Sequence, residues 1–310
     1  MIVTVTPNPA IDEAYFVPEF RPGRWFRASS VERTPGGRGI NVSLVLRELG
    51  YSSVATGFVA GYTGDFIRDN LLNLGITTNF IKIKGENRTN TYVVDELGGV
   101  ETGLTDIGPK VSPGQVERFF ADFDRLMKRT DCVVMGGSIP PGVPNDFFRQ
   151  IIERARLRNT SVFLDAFGPP LEEALLAQPT VVKIDQRFMN SIGGIPLSSI
   201  DNLLLISKKI FDQGVDWIIT SYFNNCSLFY TPRGVFMAEI PRREIVSVFG
   251  AGDSLMAGMA VARQEGMDVQ ETIRFAMGCV LADVQHVKKG IPSRALVEAS
   301  MPRVQIDKIS

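Results

Sequence analysis

The segment Gly250-Ala251-Gly252-Asp253-Ser254 stands directly before an apolar helical stretch containing Leu255, Met256, Met259 and Ala260. Small residues at a helix start let backbone N–H groups close on an anion, and the helix dipole adds partial positive charge there. A phosphoryl group in transfer needs charge stabilisation of that kind. An aspartate in the first helical turn can stand beside the phosphate and accept a hydroxyl proton. The same residues also suit a plain glycine-rich turn in which Asp253 only caps the helix, since aspartate is a common cap. Spacing alone leaves both readings open.

A second cluster, Gly36-Gly37-Arg38-Gly39-Ile40-Asn41, opens a helix over 40–49 that stops at Gly50. It again sets N–H groups and a cation beside an anion or a polyol. Neither cluster is a Walker A loop, because Gly-x-x-x-x-Gly-Lys-Ser/Thr occurs nowhere in the chain. Neither is a dinucleotide fingerprint: position 255 is Leu, and the first strand runs into Thr6-Pro7-Asn8-Pro9. Two such clusters at helix starts, over 200 residues apart, are better evidence for an anion site than either alone.

The elements that must position them alternate. Strands are predicted over 2–6, 54–59, 132–135, 161–165, 180–184 and 215–220, β-branched and apolar on both faces, as in a covered parallel sheet. A helix is predicted from Ser112, with Pro113 at its first position, Gln115 completing a capping box, and a stripe of Val116, Phe119, Phe120, Phe123, Leu126 and Met127. Others start near Asn145 and run over 199–213. This alternation predicts a three-layer α/β/α sandwich. Residues 12–34 and 87–105 break the rhythm with alternating segments at 14–17, 25–31 and 91–94, and turns at Pro22-Gly23 and Gly98-Gly99. They read as a small β lid that covers a substrate or pairs with a second subunit, or as two plain surface hairpins.

Composition sets the outer bounds. The 310 residues are 44% hydrophobic and 22% charged, which suits one large α/β domain over 1–310. Lys plus Arg number 33 against 34 Asp plus Glu, so no overall field draws nucleic acid or an anionic membrane. The single histidine, His286, rules out a zinc site built on several histidines and argues against a Ser-His-Asp triad. Cys132, Cys226 and Cys279 are odd in number and far apart, which fits reduced thiols. With neither a signal peptide nor a long apolar run, a soluble cytoplasmic protein is expected.

In this order, Thr6-Pro7-Asn8-Pro9-Ala10-Ile11-Asp12, the 36–41 cluster, Arg88-Thr89-Asn90, Gly137-Ser138-Ile139-Pro140-Pro141-Gly142 and the 250–254 segment make the chain resemble, over nearly its whole length, the PfkB branch of the ribokinase-like carbohydrate kinases. Within it the likeness is to the 1-phosphofructokinase and tagatose-6-phosphate kinase group. The resemblance implies a ribokinase-like sandwich with a β lid, often dimeric through that lid. It implies that Asp12 and Asn41 bind sugar hydroxyls, with Gly36 and Gly37 allowing close approach. Arg88 and Arg38 would hold the phosphate already on the substrate, and Ser138, at a strand end, would touch it. Asp253 would be the general base, and the N–H groups of Gly250, Ala251 and Gly252 the anion hole. Lys183, Asp185, Ser221 and Gly252 would face ATP, with magnesium held mainly by the nucleotide phosphates and Asp185 a further candidate. Arg27 is a candidate for reaching a phosphate in the partner subunit. Taken singly, Arg88 and Lys183 suit solvated charges, Asp12 a turn and Ser138 a loop start.

Three departures from the family pattern stand out. Arg38 replaces the usual lysine, keeping the charge with different geometry. Lys183-Ile184-Asp185-Gln186-Arg187-Phe188 stands where the family typically reads Lys-Pro-Asn-x-x-Glu, and Phe188 cannot replace a carboxylate. Ser221-Tyr222-Phe223-Asn224-Asn225-Cys226 lacks both glycines of the usual Ser-x-Gly-x-x-Gly, so Asn224 or Asn225 is expected to take the left-handed turn conformation. The leading expectation is ATP-dependent phosphorylation of a ketohexose monophosphate, with fructose 1-phosphate first, then tagatose 6-phosphate or fructose 6-phosphate. The alternatives are a kinase for an unphosphorylated sugar or nucleoside, and a non-catalytic sugar-phosphate sensor. An NAD-linked oxidoreductase on a similar fold lacks its fingerprint.

Overall fold

The computed structural model describes residues 1–223, 225–286 and 289–309. Among them the apolar segments assemble a ten-stranded sheet. Its parallel part runs Trp217–Tyr222, Val181–Asp185, Ser161–Asp165, Cys132–Gly136, Ile2–Thr6, Ser53–Ala60 and Thr77–Ile83 in spatial order. Three antiparallel strands, Cys226–Thr231, Gly234–Glu239 and Gln305–Lys308, continue it from Trp217–Tyr222. All six expected strands lie in this sheet, with shifts of one or two residues at most ends. The antiparallel strands and Thr77–Ile83 were not foreseen.

Alternation along each central strand loads both faces. Val3, Val5, Val133 and Val162 join one apolar cluster, while Ile2, Cys132, Val134 and Phe163 join the other. The first is covered by the helices Pro113–Leu126, Phe147–Arg156, Pro169–Leu175 and Ile200–Asp212. The second is covered by Arg38–Glu48, Ala251–Glu265, Val269–Val284 and Arg294–Ser300. Helix starts follow the sequence signals: Gln115 Oε1 accepts the Ser112 N–H at 2.8 Å, and Ser199 Oγ accepts that of Asn202 at 3.3 Å. The result is a three-layer α/β/α fold with helices on both sides of the large sheet.

A separate four-stranded sheet has the order Ser30–Gly36, Ala10–Val17, Arg88–Asp95, Val100–Leu104. Its central pair is parallel and sets Asp12 opposite Asn90. The alternation expected over 25–31 becomes strand only from Ser30, because pairing with Ala10–Val17 ends at Phe16 opposite Ser30. Trp25 and Arg27 therefore lie outside it, and Trp25 is fully exposed. Among the described residues no helix is long and apolar enough to cross a membrane.

One aromatic group closes the first face. Phe119 touches Phe58 and Phe147 at ring-centre distances of 5.4 and 4.9 Å, and Phe147 touches Phe120 at 5.3 Å. Phe119→Ala is expected to cost about 3–5 kcal/mol, since a rigid ring cluster between sheet and helix cannot collapse into the space. Chemical denaturation of both proteins measures it.

Candidate active site

Ligands bind open α/β sheets beyond the carboxyl ends of their strands, and two neighbouring parallel strands here end on carboxylates, Asp165 and Asp185. Parallel register sets Lys183 beside Asp165. Lys183 is 1% exposed, and its Nζ lies 3.2 Å from both Asp165 Oδ2 and Asp185 Oδ2. Arg187 grips Asp185 through Nε at 3.0 Å and Nη2 at 2.7 Å. From the other side, Arg38 Nη1 lies 2.6 Å from Asp165 Oδ2 and 3.9 Å from Asp253 Oδ1. The order Asp253, Arg38, Asp165, Lys183, Asp185, Arg187 is a row of alternating charge.

Asp253 sits in the first turn of Ala251–Glu265, behind Gly250, whose φ of 96° favours glycine. Its Oδ2 accepts from Asn41 Nδ2 at 2.7 Å, whereas Oδ1 is buried with no hydrogen-bond partner. Asn41 Oδ1 is in the same condition. Burial pushes the Asp253 carboxyl above the ordinary aspartate range, and the charge of Asp165 adds to it. Arg38, Asn41 and Lys183 oppose the rise without cancelling it. Asp185 behaves oppositely: burial would raise it, but Lys183 and Arg187 hold it well below that range.

The small sheet supplies a second group. Asp12 accepts from Asn90 Nδ2 at 2.6 Å through Oδ1, and its Oδ2 meets Lys289 Nζ. A Cβ at residue 36 would fall 1.9 Å from Asp12 Oδ2, so any other residue there would displace the Asp12 carboxylate. Arg88 donates to the Asn8 and Asp106 carbonyls at 3.2 and 3.3 Å and to Asn90 Oδ1 at 3.3 Å. Asn8 Nδ2 reaches Ser138 Oγ at 3.2 Å. A cavity of about 390 Å³ opens between this sheet and Phe249. A narrower cleft of about 150 Å³ lies on the far side of the Gly250 turn, lined by Lys183, Asp185, Ser221, Ala251 and Gly252. A Cβ on Gly252 would lie 3.0 Å from Lys183 Cε and Nζ, so glycine lets the ammonium stand against the helix start.

The sequence pattern of pfkB family carbohydrate kinases matches residues 6–294. The chain belongs to this family. It is 30% identical over 309 residues to a 1-phosphofructokinase of Bacillus subtilis, covering both chains completely. A possible 1-phosphofructokinase from Thermotoga maritima superposes with a TM-score of 0.94, at 31% identity and full coverage of both chains. A ribokinase from the same organism shares the fold at 20% identity and a TM-score of 0.78, over 97% of this chain and 99% of its own. A pfkB kinase is a phosphotransferase with an alcohol group as acceptor.

For this pfkB kinase, the residues singled out in the sequence fall into adjoining places. Asp253, Asn41 and Arg38 meet at the base of the site. Asp12, Gly36, Arg88 and Ser138 gather under the small sheet, and Lys183, Asp185, Ser221 and Gly252 around the cleft. Gly37, at φ 111°, has room for a Cβ only by pushing into Thr6. Arg38 is engaged by Asp165, and its guanidinium lies 4.9 Å from the centre of the Phe188 ring, which stacks on Phe167. Two family departures thus touch each other.

In the 221–226 loop the left-handed conformation falls on Phe223, at φ 56°, and not on Asn225. Asn224 lies outside the described residues. Four further participants escaped sequence reasoning: Asp165, Lys289, Phe249 and Asp283. Asp165 had a usable signal, a carboxylate closing a predicted strand. The other three are placed by packing across the fold and had none.

Asp283 is buried behind the Gly250 turn, accepting from Ser254 Oγ at 2.7 Å and from the Gly290 N–H at 2.9 Å. Burial, helped by the Asp253 charge, pushes it up to about 7, against the pull of those two donors and Lys289. A carboxyl raised on folding favours the folded state at low pH, and that contribution is lost as pH climbs from about 4 toward 7. Asp283→Asn should flatten this decline, raising the melting temperature at pH 8 relative to the parent by ~2 °C or more. Thermal melts of both proteins between pH 5 and 8, roughly the range in which most proteins are stable, measure it.

Proposed function

We propose that this protein transfers the γ-phosphoryl group of ATP to a primary hydroxyl of a ketohexose monophosphate, with Asp253 as general base. The observation that carries the proposal is the unpartnered Asp253 Oδ1, buried at a helix start and aimed by the Asn41 bond on its other oxygen. A hydroxyl that enters there gives Oδ1 its missing donor and passes its proton to it, while the hydroxyl oxygen attacks the γ-phosphorus of ATP and the bond from that phosphorus to the ADP oxygen breaks, ADP leaving. Arg38 opposes the rise of this carboxyl and cannot itself accept a proton.

The N-terminus of Ala251–Glu265, with the N–H groups of Gly250, Ala251 and Gly252, supplies positive potential for the phosphoryl group in transit. Lys183 and Arg187 add charge on the nucleotide side of the turn, where Ser221 lines the cleft. Asp185 is already answered by these two cations, which favours magnesium held mainly through the nucleotide phosphates. There the metal would neutralise charge as the phosphoryl group moves. Asp12 and Asn41 bind sugar hydroxyls, with Gly36 and Gly37 allowing the approach. Arg88, Ser138 and Arg38 serve the substrate's own phosphate.

Fructose 1-phosphate is the first choice because the Bacillus subtilis relative is a 1-phosphofructokinase. Tagatose 6-phosphate and fructose 6-phosphate follow. Exposed Val31, Val100 and Leu104 on the small sheet favour a homodimer through this lid. Three free, buried cysteines agree with a reducing cytoplasm.

The test is ADP release with ATP and magnesium on the three sugar phosphates. Turnover on one of them, reduced by about 100-fold or more in Asp253→Asn with sugar-phosphate binding kept, is the expected result. Near-normal turnover in the variant sinks the general-base role. Binding of sugar phosphate without ADP release or ATP heat would identify a sensor. The parent's kcat/KM should fall on the acid side with a limb above the ordinary aspartate range, because the raised carboxyl must be ionised to accept a proton. A pH–rate profile measures that limb.

A further inference from the structure

Lys289 enters the 390 Å³ cavity from the far end of the chain. Its side chain is 10% exposed, and its ammonium meets Asp12. The same ammonium stands 4.7 Å from the centre of the Phe249 ring, which packs on Tyr92 at 4.0 Å. The stem passes Gly250, where a Cβ would touch Lys289 Cγ at 3.5 Å. The next residue, Gly290, is tied through its N–H to Asp283, and Asp283 to Ser254. The lysine is therefore anchored on the helix that carries Asp253 and delivers its charge to the acceptor group Asp12.

Other cations near the cavity are differently placed. Arg33 is mostly exposed and holds Glu13 at 2.6 Å. Arg88 donates to three oxygens of the surrounding loops, and Arg38 is gripped by Asp165. Lys289 alone among these four meets Asp12, a group that a sugar hydroxyl would itself seek. A phosphorylated sugar brings both a hydroxyl donor and an anion. On entry the hydroxyl replaces the ammonium at Asp12, and the phosphate takes the released ammonium. Neither buried charge is then left unpaired, a condition that costs heavily when it is violated. An unphosphorylated sugar must break the same pair and offers the ammonium nothing in return.

We infer that Lys289 is an acceptor-specificity residue, exchanging Asp12 for the phosphate that the sugar substrate already carries; the inference rests on the kinase reading above. The experiment compares Lys289→Gln and Lys289→Arg with the parent on fructose 1-phosphate and on fructose, with inorganic phosphate as a competing anion. Lys289→Gln should lower kcat/KM for the sugar phosphate by about 10- to 100-fold, mainly through KM, the range of a lost charged hydrogen bond. The change on fructose should stay under about threefold, since no charge-assisted contact to the sugar is removed. Inhibition by phosphate should weaken, and Lys289→Arg should recover most of the loss. An unchanged KM for ATP and a single cooperative melt, lowered in Lys289→Gln by the loss of the partner of Asp12, show that the variants are folded.

Equal losses on both sugars would mean that Lys289 only holds Asp12, and a loss confined to kcat would put it at the group in transfer; either overturns the inference. If the parent turns over neither of these, nor tagatose 6-phosphate or fructose 6-phosphate, the kinase reading fails first. Calorimetric titration of fructose 1-phosphate and fructose without nucleotide then decides on Lys289 separately. Weaker binding of the phosphate alone in Lys289→Gln upholds the assignment, and equal affinities for parent and variant overturn it.

Discussion

A lysine that is 1% exposed in the centre of a sheet has to be answered by negative charge, and much of this site follows from how Lys183 is answered. Breaking a buried ion pair by removing one partner costs about 3–5 kcal/mol, because the other charge is left without water. Lys183 therefore requires Asp165 and Asp185 within reach, and parallel register provides them from the ends of neighbouring strands. Each aspartate in turn needs its second cation, Arg38 on one side and Arg187 on the other. The row cannot stop until it reaches a member that is meant to remain incomplete.

That member is Asp253. It has one oxygen satisfied by Asn41 and the other 3.9 Å from Arg38, beyond hydrogen-bond reach. A carboxylate in this position is drawn toward its charged form by Arg38 and Lys183, against burial, and still has one oxygen without a donor. The glycines at 36, 250 and 252 serve the same end, since each removes a Cβ that would collide with Asp12, strain the helix start or press on Lys183.

The central sheet and the flanking helices were legible because their apolar periodicity is local, and the small sheet because Gly98-Gly99 and the alternation around it are local too. The strand over 25–31 was misread because alternation says nothing about whether a partner strand extends far enough. At the site, residues inside glycine clusters were visible, and so was Asp12. Lys289 and Asp283 were not, for their meaning lies in meeting residues from distant segments. In the 221–226 loop propensity favoured Asn224 or Asn225 for the left-handed residue; Phe223 takes that conformation, Asn225 does not, and Asn224 lies outside the described residues.

Arg38 and Phe188 were two separate oddities of sequence until the fold laid the guanidinium over the ring, with Phe167 stacked behind. They form one surface, so their effects on stability and turnover are not additive. A lysine at 38 would bring a compact ammonium in place of the flat face that lies over the ring. A carboxylate at 188 would remove that face and offer a new partner to a cation already held by Asp165. A change at either position therefore alters the surface against which the other side chain rests.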